Sequence, residues 1–391
     1  MSEWNQLVLD DVSSKIGDGL HGTPTYDDKG LYSFINGNNL LNGRIVIKPE
    51  TKRITEEEYL KIVKPLDDST ILISINGTIG NVAKYRDELC ALGKSACYIN
   101  LDTNLVDRDF FYYECLSDNF QSHLENVATG TTIPNVPLKG IRAYKFNLPS
   151  LPEQKAIASV LSSLDDKIDL LHRQNKTLEA MAETLFRHWF MEEAKEDWEE
   201  KPLSSIATFT NGLACQKYPP QPNEPKLPVL KIKDLTSGIS DSSDWATANV
   251  DPKYIVNHGD VIFAWSASLM VKIWFGETCV LNQHLFNVTS DEYPKWFFYQ
   301  WCKYHLEEFI SISQSHATTM GHIKRKDLDE AIVKVPSQSE LQEMTSSFEP
   351  LMDKLITNLK QIQTLENLRD TLLPKLMSGE VRVQYQTEEV A

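Results

Sequence analysis

The chain has few cysteines and no long apolar run. Its six cysteines (90, 97, 115, 215, 279 and 302) form no CxxC pair and show no metal-ligand spacing, which favours free thiols in a reducing cytosol. No apolar run approaches the roughly 18 residues of a membrane span. The first residues, MSEWNQLVLDD, show no basic-then-apolar signal pattern. We therefore expect a soluble, cytoplasmic protein without a membrane partner.

Positive charge is also scarce. The chain has 39 Lys and Arg residues and 55 Asp and Glu residues, which gives a net charge of −16. The excess of acidic residues is spread evenly along the chain. A protein that holds nucleic acid alone normally presents a basic face. Composition therefore argues against DNA binding by the isolated chain.

Complete catalytic motifs are missing as well. A phosphate-binding loop ending at Gly93-Lys94-Ser95 needs a glycine five residues before Gly93, where the chain has Glu88. Three further segments resemble catalytic or metal-binding motifs but lack a required neighbour: Tyr218-Pro219-Pro220-Gln221, Glu193-Ala194-Lys195, and the pair His316 and His322. We expect no catalytic residue and no metal site.

The most regular stretch runs from Ser150 to Phe190. It opens with a capping-box pattern, Ser150 and Glu153, and its apolar residues then recur every 3.5 residues on average, the period of a coiled coil. Such a helix is roughly 60 Å long and needs a partner for its apolar stripe. The predicted seam is Ile157, Leu161, Leu164, Ile168, Leu171, Asn175, Leu178, Ala182, Leu185 and Trp189.

The expected partner is a second segment that repeats this pattern 187 residues later in the chain. The capping box recurs at Ser337 and Glu340, and the match continues without a gap, which indicates an internal duplication. The second seam is Met344, Phe348, Leu351, Leu355, Asn358, Ile362, Leu365, Arg369, Leu372 and Leu376. Pro374 should end or kink the second helix nearby.

The two seam asparagines suggest a register. An antiparallel pair is the simplest arrangement of two duplicated helices, and pairing Asn175 with Asn358 places Leu171 opposite Ile362 and Leu178 opposite Leu355. A slip of one layer would set each asparagine against an apolar side chain. We expect the asparagine pair to fix the register; the alternative is that both side chains turn to solvent.

The regions before each helix also repeat. Both combine short strands with an aromatic-rich helix, Asp107–Val127 in the first and Tyr293–Ile310 in the second. The predicted fold is α+β, with two mixed α/β domains, two long antiparallel coiled-coil helices and an internal pseudo-two-fold duplication. The predicted segments are a first domain at 1–148, a central helix at 149–194, a second domain at 195–334, a distal helix at 335–380 and a tail at 381–391.

Several motifs resemble the specificity subunits of type I restriction–modification enzymes. They are Pro-Ser-Leu-Pro-Glu-Gln at 149–154, Leu-Leu-Pro-Lys-Leu-Met-Ser-Gly-Glu-Val at 372–381, Asn76-Gly77-Thr78-Ile79-Gly80, and the loops containing Thr131-Thr132 and Thr318-Thr319. The chain departs from the pattern at 264–268, where the second domain lacks the Asn-Gly-Thr turn, and at Ser339, where the Pro-Glu-Gln start of the second helix is absent.

The resemblance implies a non-catalytic subunit. Each domain would be a target-recognition domain reading one half of a bipartite, asymmetric site in double-stranded DNA. The helices would act as a ruler and as the dock for two methyltransferase subunits, which in turn hold restriction/translocase subunits. The complex would be a DNA adenine methyltransferase and ATP-dependent endonuclease serving in phage defence. Its S-adenosylmethionine, ATP and Mg²⁺ would be bound by other subunits, and no cofactor by this chain.

Polar and basic groups on loops are the candidates for DNA contact. In the first domain they are Lys15, His21, Thr23, Lys48, Lys52, Arg53, Asn76, Thr78, Gln121, His123, Thr131 and Thr132. In the second they are Gln216, Lys217, Lys231, Lys233, Trp265, Ser266, Ser268, Ser315, His316, Thr318, Thr319, Lys324 and Arg325. Each could instead be a solvated charge or a turn former.

Two other function classes stay open at this point. A coiled-coil adaptor that binds only proteins would suit the acidic charge but would not explain two equivalent domains. A single-chain enzyme is disfavoured by the incomplete motifs.

Overall fold

The computed structural model describes residues 4–130, 132–240, 242–315 and 321–384. The chain packs into two compact units. Unit 1 comprises the residues up to Lys167 together with those from Glu366 onwards, and unit 2 comprises Ile168–Leu365. Each unit therefore contains one mixed α/β domain and a part of each long helix.

The domain in unit 1 is built on an antiparallel four-stranded sheet with the order β2-β10-β7-β8. Its strands are β1 (Asn5–Val8), β2 (Ser13–Asp18), β3 (Tyr32–Ile35), β4 (Leu40–Leu41), β5 (Arg44–Ile45), β6 (Arg53–Ile54), β7 (Thr70–Asn76), β8 (Thr78–Lys84), β9 (Cys90–Leu92), β10 (Ala96–Leu101) and β11 (Lys145–Leu148). Its helices are α1 (Glu56–Ile62), α2 (Arg108–Leu116), α3 (Asp118–Val127) and α4 (Leu138–Arg142).

The central strands of this sheet are covered on both faces. All six residues of β10 and the first six of β7 are buried, which explains their continuous apolar sequence. Helix α2 packs on one face through Phe110 and Phe111, in a core that also takes in Leu161 and Leu376. The domain and the adjoining helical parts of unit 1 therefore share one hydrophobic core.

Unit 2 repeats this plan with the sheet order β13-β20-β17-β18. Its strands are β12 (Glu199–Pro202), β13 (Thr208–Asn211), β14 (Lys226–Leu230), β15 (Trp245–Thr247), β16 (Ile255–Val256), β17 (Val261–Ala264), β18 (Met270–Ile273), β19 (Cys279–Leu281), β20 (Leu285–Thr289) and β21 (Ile332–Val335). The helices of its domain are α6 (Leu203–Ile206), α7 (Asp234–Ser237), α8 (Lys295–Tyr304), α9 (Leu306–Ser315) and α10 (Arg325–Glu330).

Aromatic side chains dominate the core of unit 2. Phe186 and Phe190, near the end of the first long helix, pack against Trp301 with ring centres 4.9 and 5.4 Å away. On the second long helix Phe348 stacks on Trp296 at 4.3 Å. These rings attach both long helices to the domain of unit 2.

The two long helices are α5 (Leu151–Arg187), which continues as a π-helical turn at His188–Glu192, and α11 (Gln338–Met377). They run antiparallel within unit 2, where Asn175 hydrogen-bonds to Asn358 and the preceding Leu171 shares an apolar cluster with the following Ile362. The fold class predicted from the sequence is thereby confirmed.

Within unit 1 the polar seam residue of α11 also has a partner. Arg369 Nη1 donates to Asp165 Oδ1 at 3.1 Å, and Tyr113 OH donates to Asp165 Oδ2 at 2.7 Å. Burial and this carboxylate raise the pKa of Tyr113 well above its ordinary value. The charge on the seam is therefore neutralised inside the unit rather than exposed.

The same kind of cluster occurs where each long helix begins. In unit 1 Trp4 Nε1 donates to Glu153 Oε2 at 3.2 Å, and Arg382 Nη2 donates to the same oxygen at 3.0 Å. In unit 2 the carboxylate of Glu340 accepts from Trp198 Nε1 at 3.2 Å and from Lys195 Nζ. Glu153 and Arg382 map onto Glu340 and Lys195 by the same shift of 187, so the duplication extends to specific contacts.

Two predicted helix limits were wrong. The segment Asp107–Val127 is two helices, because Ser117 leaves the helical conformation and caps α3 by accepting from Phe120 N at 3.3 Å. The second aromatic-rich helix likewise breaks at His305 and runs on to Ser315. The end of α11 was predicted more closely: the helix includes Pro374 and ends three residues later at Met377, ahead of Gly379 with its positive φ of 72°.

Candidate nucleic-acid interface

The turn between β7 and β8 is the first element of the candidate site. Asn76 pairs with Thr78 across the turn, and Gly77 between them has a φ of +77°. A Cβ at Gly77 would meet no atom within 4 Å, so the backbone conformation rather than space calls for glycine. The hairpin end is therefore tight and open to solvent.

A second segment holds this turn from the side. Gly77 N donates to Pro134 O at 3.0 Å, and Val136 N donates to Ile75 O at 2.8 Å. These two bonds bracket Asn76 and Asn135, and Asn76 Nδ2 donates to Asn135 Oδ1 at 3.1 Å. We call residues 75–77 with 134–136 the first clamp.

Additional bonds support the first clamp. Asn135 exchanges two backbone hydrogen bonds of 2.8 Å with Thr129. On the other side of the turn, Gln121 Nε2 donates to Gly80 O at 3.0 Å and to Cys115 O at 2.6 Å. The first clamp is thus tied both to the loop that follows α3 and to α3 itself.

The second domain forms the same clamp with a different sequence. Ala267 N donates to Gly321 O at 2.9 Å and Ile323 N donates to Trp265 O at 3.1 Å, which brackets Ser266 and His322. Residues 265–267 with 321–323 are the second clamp. Ala267 has a φ of +57°, a strained value for a residue with a Cβ. The backbone turn is retained although the Asn-Gly-Thr sequence is not.

Aromatic and polar side chains surround the second clamp. The Trp265 ring stacks on Phe286 with centres 5.6 Å apart, and its Nε1 donates to Asn211 Oδ1 at 3.1 Å. His322 is exposed, with its ring centre 6.3 Å from that of Trp265. The two clamps therefore share backbone geometry while presenting different side chains.

The family profile described as "Type I restriction modification DNA specificity domain" matches residues 1–180 and again residues 195–367. The chain belongs to this family. The double match also confirms the internal duplication. As a specificity subunit of a type I restriction–modification system, the chain is the non-catalytic component that recognises the DNA target, and the reading as an adaptor for proteins alone is set aside.

Similar proteins share most of this length. The MjaIX specificity subunit of Methanocaldococcus jannaschii is 26% identical, with 98% of this chain and 94% of that protein covered. The EcoKI specificity subunit of Escherichia coli K12 is 24% identical, with 90% and 83% covered. A solved type I S subunit from M. genitalium superposes with a TM-score of 0.58 at 20% identity, covering 96% of each chain, which shows the fold.

The basic candidates in the two specificity domains are mostly unpaired. Within the described residues, only Lys231 among the nine nominated lysines and arginines forms an ion pair, with Asp244. Arg325 donates from Nη2 to Phe209 O at 3.4 Å. The other seven, which have no carboxylate partner in the described parts of the chain, are Lys15, Lys48, Lys52, Arg53, Lys217, Lys233 and Lys324.

Three polar candidates are engaged in supporting the fold. Ser266 is buried, and its Oγ is hydrogen-bonded to His284 Nδ1 at 3.1 Å, so its side chain is not free to reach DNA. Gln121 holds the first hairpin as described above. The ring of His123 is hydrogen-bonded to Gly140 O at 2.9 Å.

The remaining candidates divide into three groups. Thr78 and Ser268 are exposed at the clamps, as is Thr132 in the loop beside the first one. Away from the clamps are His21, which pairs with Asp18, the exposed Thr23 and Gln216, and Ser315 at the end of α9. Thr131, His316, Thr318 and Thr319 lie outside the described residues.

Sequence reasoning did not nominate Asn135. It considered His322 only as a metal ligand, and the described residues contain no group of three His, Cys, Asp or Glu that could hold a metal ion. The missed signal was available, because the shift of 187 maps Asn135 onto His322.

Among the described residues, no helix is long and apolar enough to cross a membrane.

Proposed function

We propose that the two specificity domains read different halves of a bipartite, asymmetric target in double-stranded DNA. The observation that carries this proposal is one backbone clamp occurring in both domains with different side chains, Asn76 and Asn135 in the first and Ser266 and His322 in the second. Equal backbones give both domains the same way of approaching DNA, and the exposed side chains of Asn135 and His322 differ, which gives the domains different base preferences. The segments 1–148 and 195–334 are the proposed target-recognition domains.

The unpaired basic residues are suited to phosphate contacts. Side chains such as Lys52 and Arg53 are exposed and have no carboxylate partner among the described residues. Phosphate contacts position a protein on the duplex without reading sequence. The chain nevertheless carries a net charge of −16, so partner subunits supply further positive surface in the working complex.

The outer faces of the two long helices support a dock for two copies of one partner. Met181 on α5 and Leu368 on α11 correspond by the shift of 187, and both are largely exposed, at 48% and 44%. Exposed threonines flank each of them at matching positions. The first helix stripe is Thr177, Met181 and Thr184; the second helix stripe is Thr364, Leu368 and Thr371.

The threonines in these stripes do not serve helix stability. Each hydroxyl donates to the carbonyl four residues earlier, as in Thr177 to Arg173 O at 3.1 Å and Thr364 to Lys360 O at 2.9 Å. That bond satisfies the hydroxyl and leaves the methyl group available for contact. Threonine is about half a kcal/mol less favourable than alanine in a helix. Its retention at matching exposed positions therefore points to a binding role.

Two neighbouring positions have diverged, which supports the same conclusion. Lys176 corresponds to Gln363, and Ala180 corresponds to Asn367. The stripes kept their chemistry after the duplication, as did the exposed Asp166 and Lys167, which correspond to Asp353 and Lys354. We infer that each stripe binds one methyltransferase subunit, so that the complex contains two of them, and that restriction/translocase subunits join through these.

The stoichiometry experiment uses Met181→Glu and Leu368→Glu in the full chain, mixed with the methyltransferase subunit and weighed by native mass spectrometry. Each single variant should bind one methyltransferase copy and the double variant none, because a carboxylate cannot be buried there without a partner. Lys176→Glu, at a diverged position, is the control and should still bind two. Two copies bound to the double variant would refute the dock.

The chemistry of the complex belongs to the other subunits in this proposal. S-adenosylmethionine is bound by the methyltransferase subunits, and ATP and Mg²⁺ are used by the restriction/translocase subunits. The described residues of this chain contribute the DNA-reading clamps and the docking stripes. The proposed place of action is the cytoplasm.

A further inference from the structure

The bonding pattern of each clamp fixes which side chains lie together. In an antiparallel ribbon, two residues bracketed by hydrogen bonds between their neighbours form a non-hydrogen-bonded pair, whose side chains lie close on one face. Asn76 and Asn135 are such a pair in the first clamp, and Ser266 and His322 are the corresponding pair in the second. A two-stranded ribbon of this width fits the major groove of DNA.

The asparagine pair has hydrogen-bonding capacity left over. Asn76 Nδ2 donates to Asn135 Oδ1, which leaves the Asn76 oxygen as an acceptor and the Asn135 amide nitrogen as a donor. Exchanging oxygen and nitrogen in both amides leaves the same set of one acceptor and one donor. Adenine presents the matching set in the major groove, with a donor at N6 and an acceptor at N7.

The backbone conformation of the two clamps supports a functional role for them. Ala267 keeps a positive φ of 57° in the second clamp, although a residue with a Cβ is strained there. Asn135 is exposed, yet both its backbone groups are bonded to Thr129, so its side chain is presented from a fixed backbone. Preorganised groups of this kind suit base reading, because less ordering is needed on binding.

We propose that Asn135 is a specificity-determining residue that, together with Asn76, reads one adenine in the half-site bound by the first domain. His322 is the corresponding residue of the second domain and contacts one base edge in the other half-site. This inference rests on the proposed function, since it assumes that each domain reads its own half-site.

The test uses the complex of the full chain with its methyltransferase subunits acting on DNA with randomised target positions. Asn135→Ala should relax one adenine of the first half-site, with discrimination at that position falling about tenfold or more, and should leave the second half-site unchanged. His322→Ala should relax one position of the second half-site only. Asn119→Ala, an exposed asparagine of α3 outside the clamp, is the control and should change neither.

Asn135→Ser guards against a folding defect, because it keeps a small polar side chain and the backbone bonds of the clamp. It should relax the same adenine as Asn135→Ala while melting at the wild-type temperature. An unchanged base profile in both variants, or a uniform loss of activity on all sequences, would overturn the inference. If the wild-type complex itself shows no sequence preference, the proposed function fails instead, and the two failures are distinguishable.

Discussion

Asn358 donates a hydrogen bond from Nδ2 to Asn175 Oδ1 over 2.9 Å, and both side chains are buried between α5 and α11. Asn175 Nδ2 and Asn358 Oδ1 have no further partner among the described residues. The pair is therefore costly to bury, but a shift of one layer would leave each amide wholly unpaired, at about 1–3 kcal/mol each. That the pair selects the register stays a prediction.

A double-mutant cycle tests this coupling. Asn175→Ala and Asn358→Ala should each lower the free energy of unfolding by about 1–3 kcal/mol, because each leaves a buried amide without its partner. The double variant should lose less than the two single losses together, with a coupling of about 0.5–2 kcal/mol. Urea denaturation of the wild type, the two single variants and the double variant measures these free energies of unfolding. Strictly additive losses would show that the pair contributes no specific interaction.

The sequence revealed this pair because a coiled-coil seam is a local pattern. Positions such as Leu171, Asn175 and Leu178 follow a fixed period, and the duplication adds a second copy for alignment. The helix breaks at Ser117 and His305 were not predicted, because the aromatic residues around them continue a helix-compatible pattern. There the capping bond and the tertiary packing outweighed periodicity.

The clamps could not be predicted in the same way. They join Gly77 to Pro134 and Ala267 to Gly321 through backbone groups, and backbone bonds between distant segments leave no side-chain signature. The correspondence was also hidden by an offset, because the turns match by a shift of 190 and the facing segments by 187. Ala267 further lacks the glycine that marks such a turn.

Stability should depend on pH through Glu114. Its carboxyl is buried and accepts from Tyr144 OH at 2.5 Å, and burial raises its pKa to about 7. Because the folded pKa is raised, the protonated Glu114 carboxyl contributes to the free energy of unfolding. This contribution is fully present below the unfolded pKa of about 4.5 and is lost as the pH rises through 7. Glu114→Gln should remove this loss and stabilise the protein at pH 8 by about 1–3 kcal/mol.

Thermal melting between pH 5 and pH 8 measures that effect. The wild type should lose stability across this interval more steeply than Glu114→Gln. Glu125→Gln, which changes an exposed glutamate of α3, is the matched control and should follow the wild type. Parallel curves for wild type and Glu114→Gln would contradict the assignment.

The isolated chain should bind DNA weakly. With a net charge of −16 it repels the duplex, so its dissociation constant at physiological salt should stay at about the micromolar level or weaker. Adding methyltransferase subunits should bring specific binding to roughly the nanomolar range. Fluorescence anisotropy with target and scrambled duplexes measures both. Nanomolar, sequence-specific binding by the chain alone would be inconsistent with shared phosphate neutralisation.

The most direct test of the central claim is methylome sequencing of a host that carries this chain together with its methyltransferase subunits. If the two clamps read separate half-sites, methylated adenines should fall in a single motif made of two different specified parts with a gap of constant length between them. A motif that is continuous or palindromic, or methylation without any motif, would contradict the account.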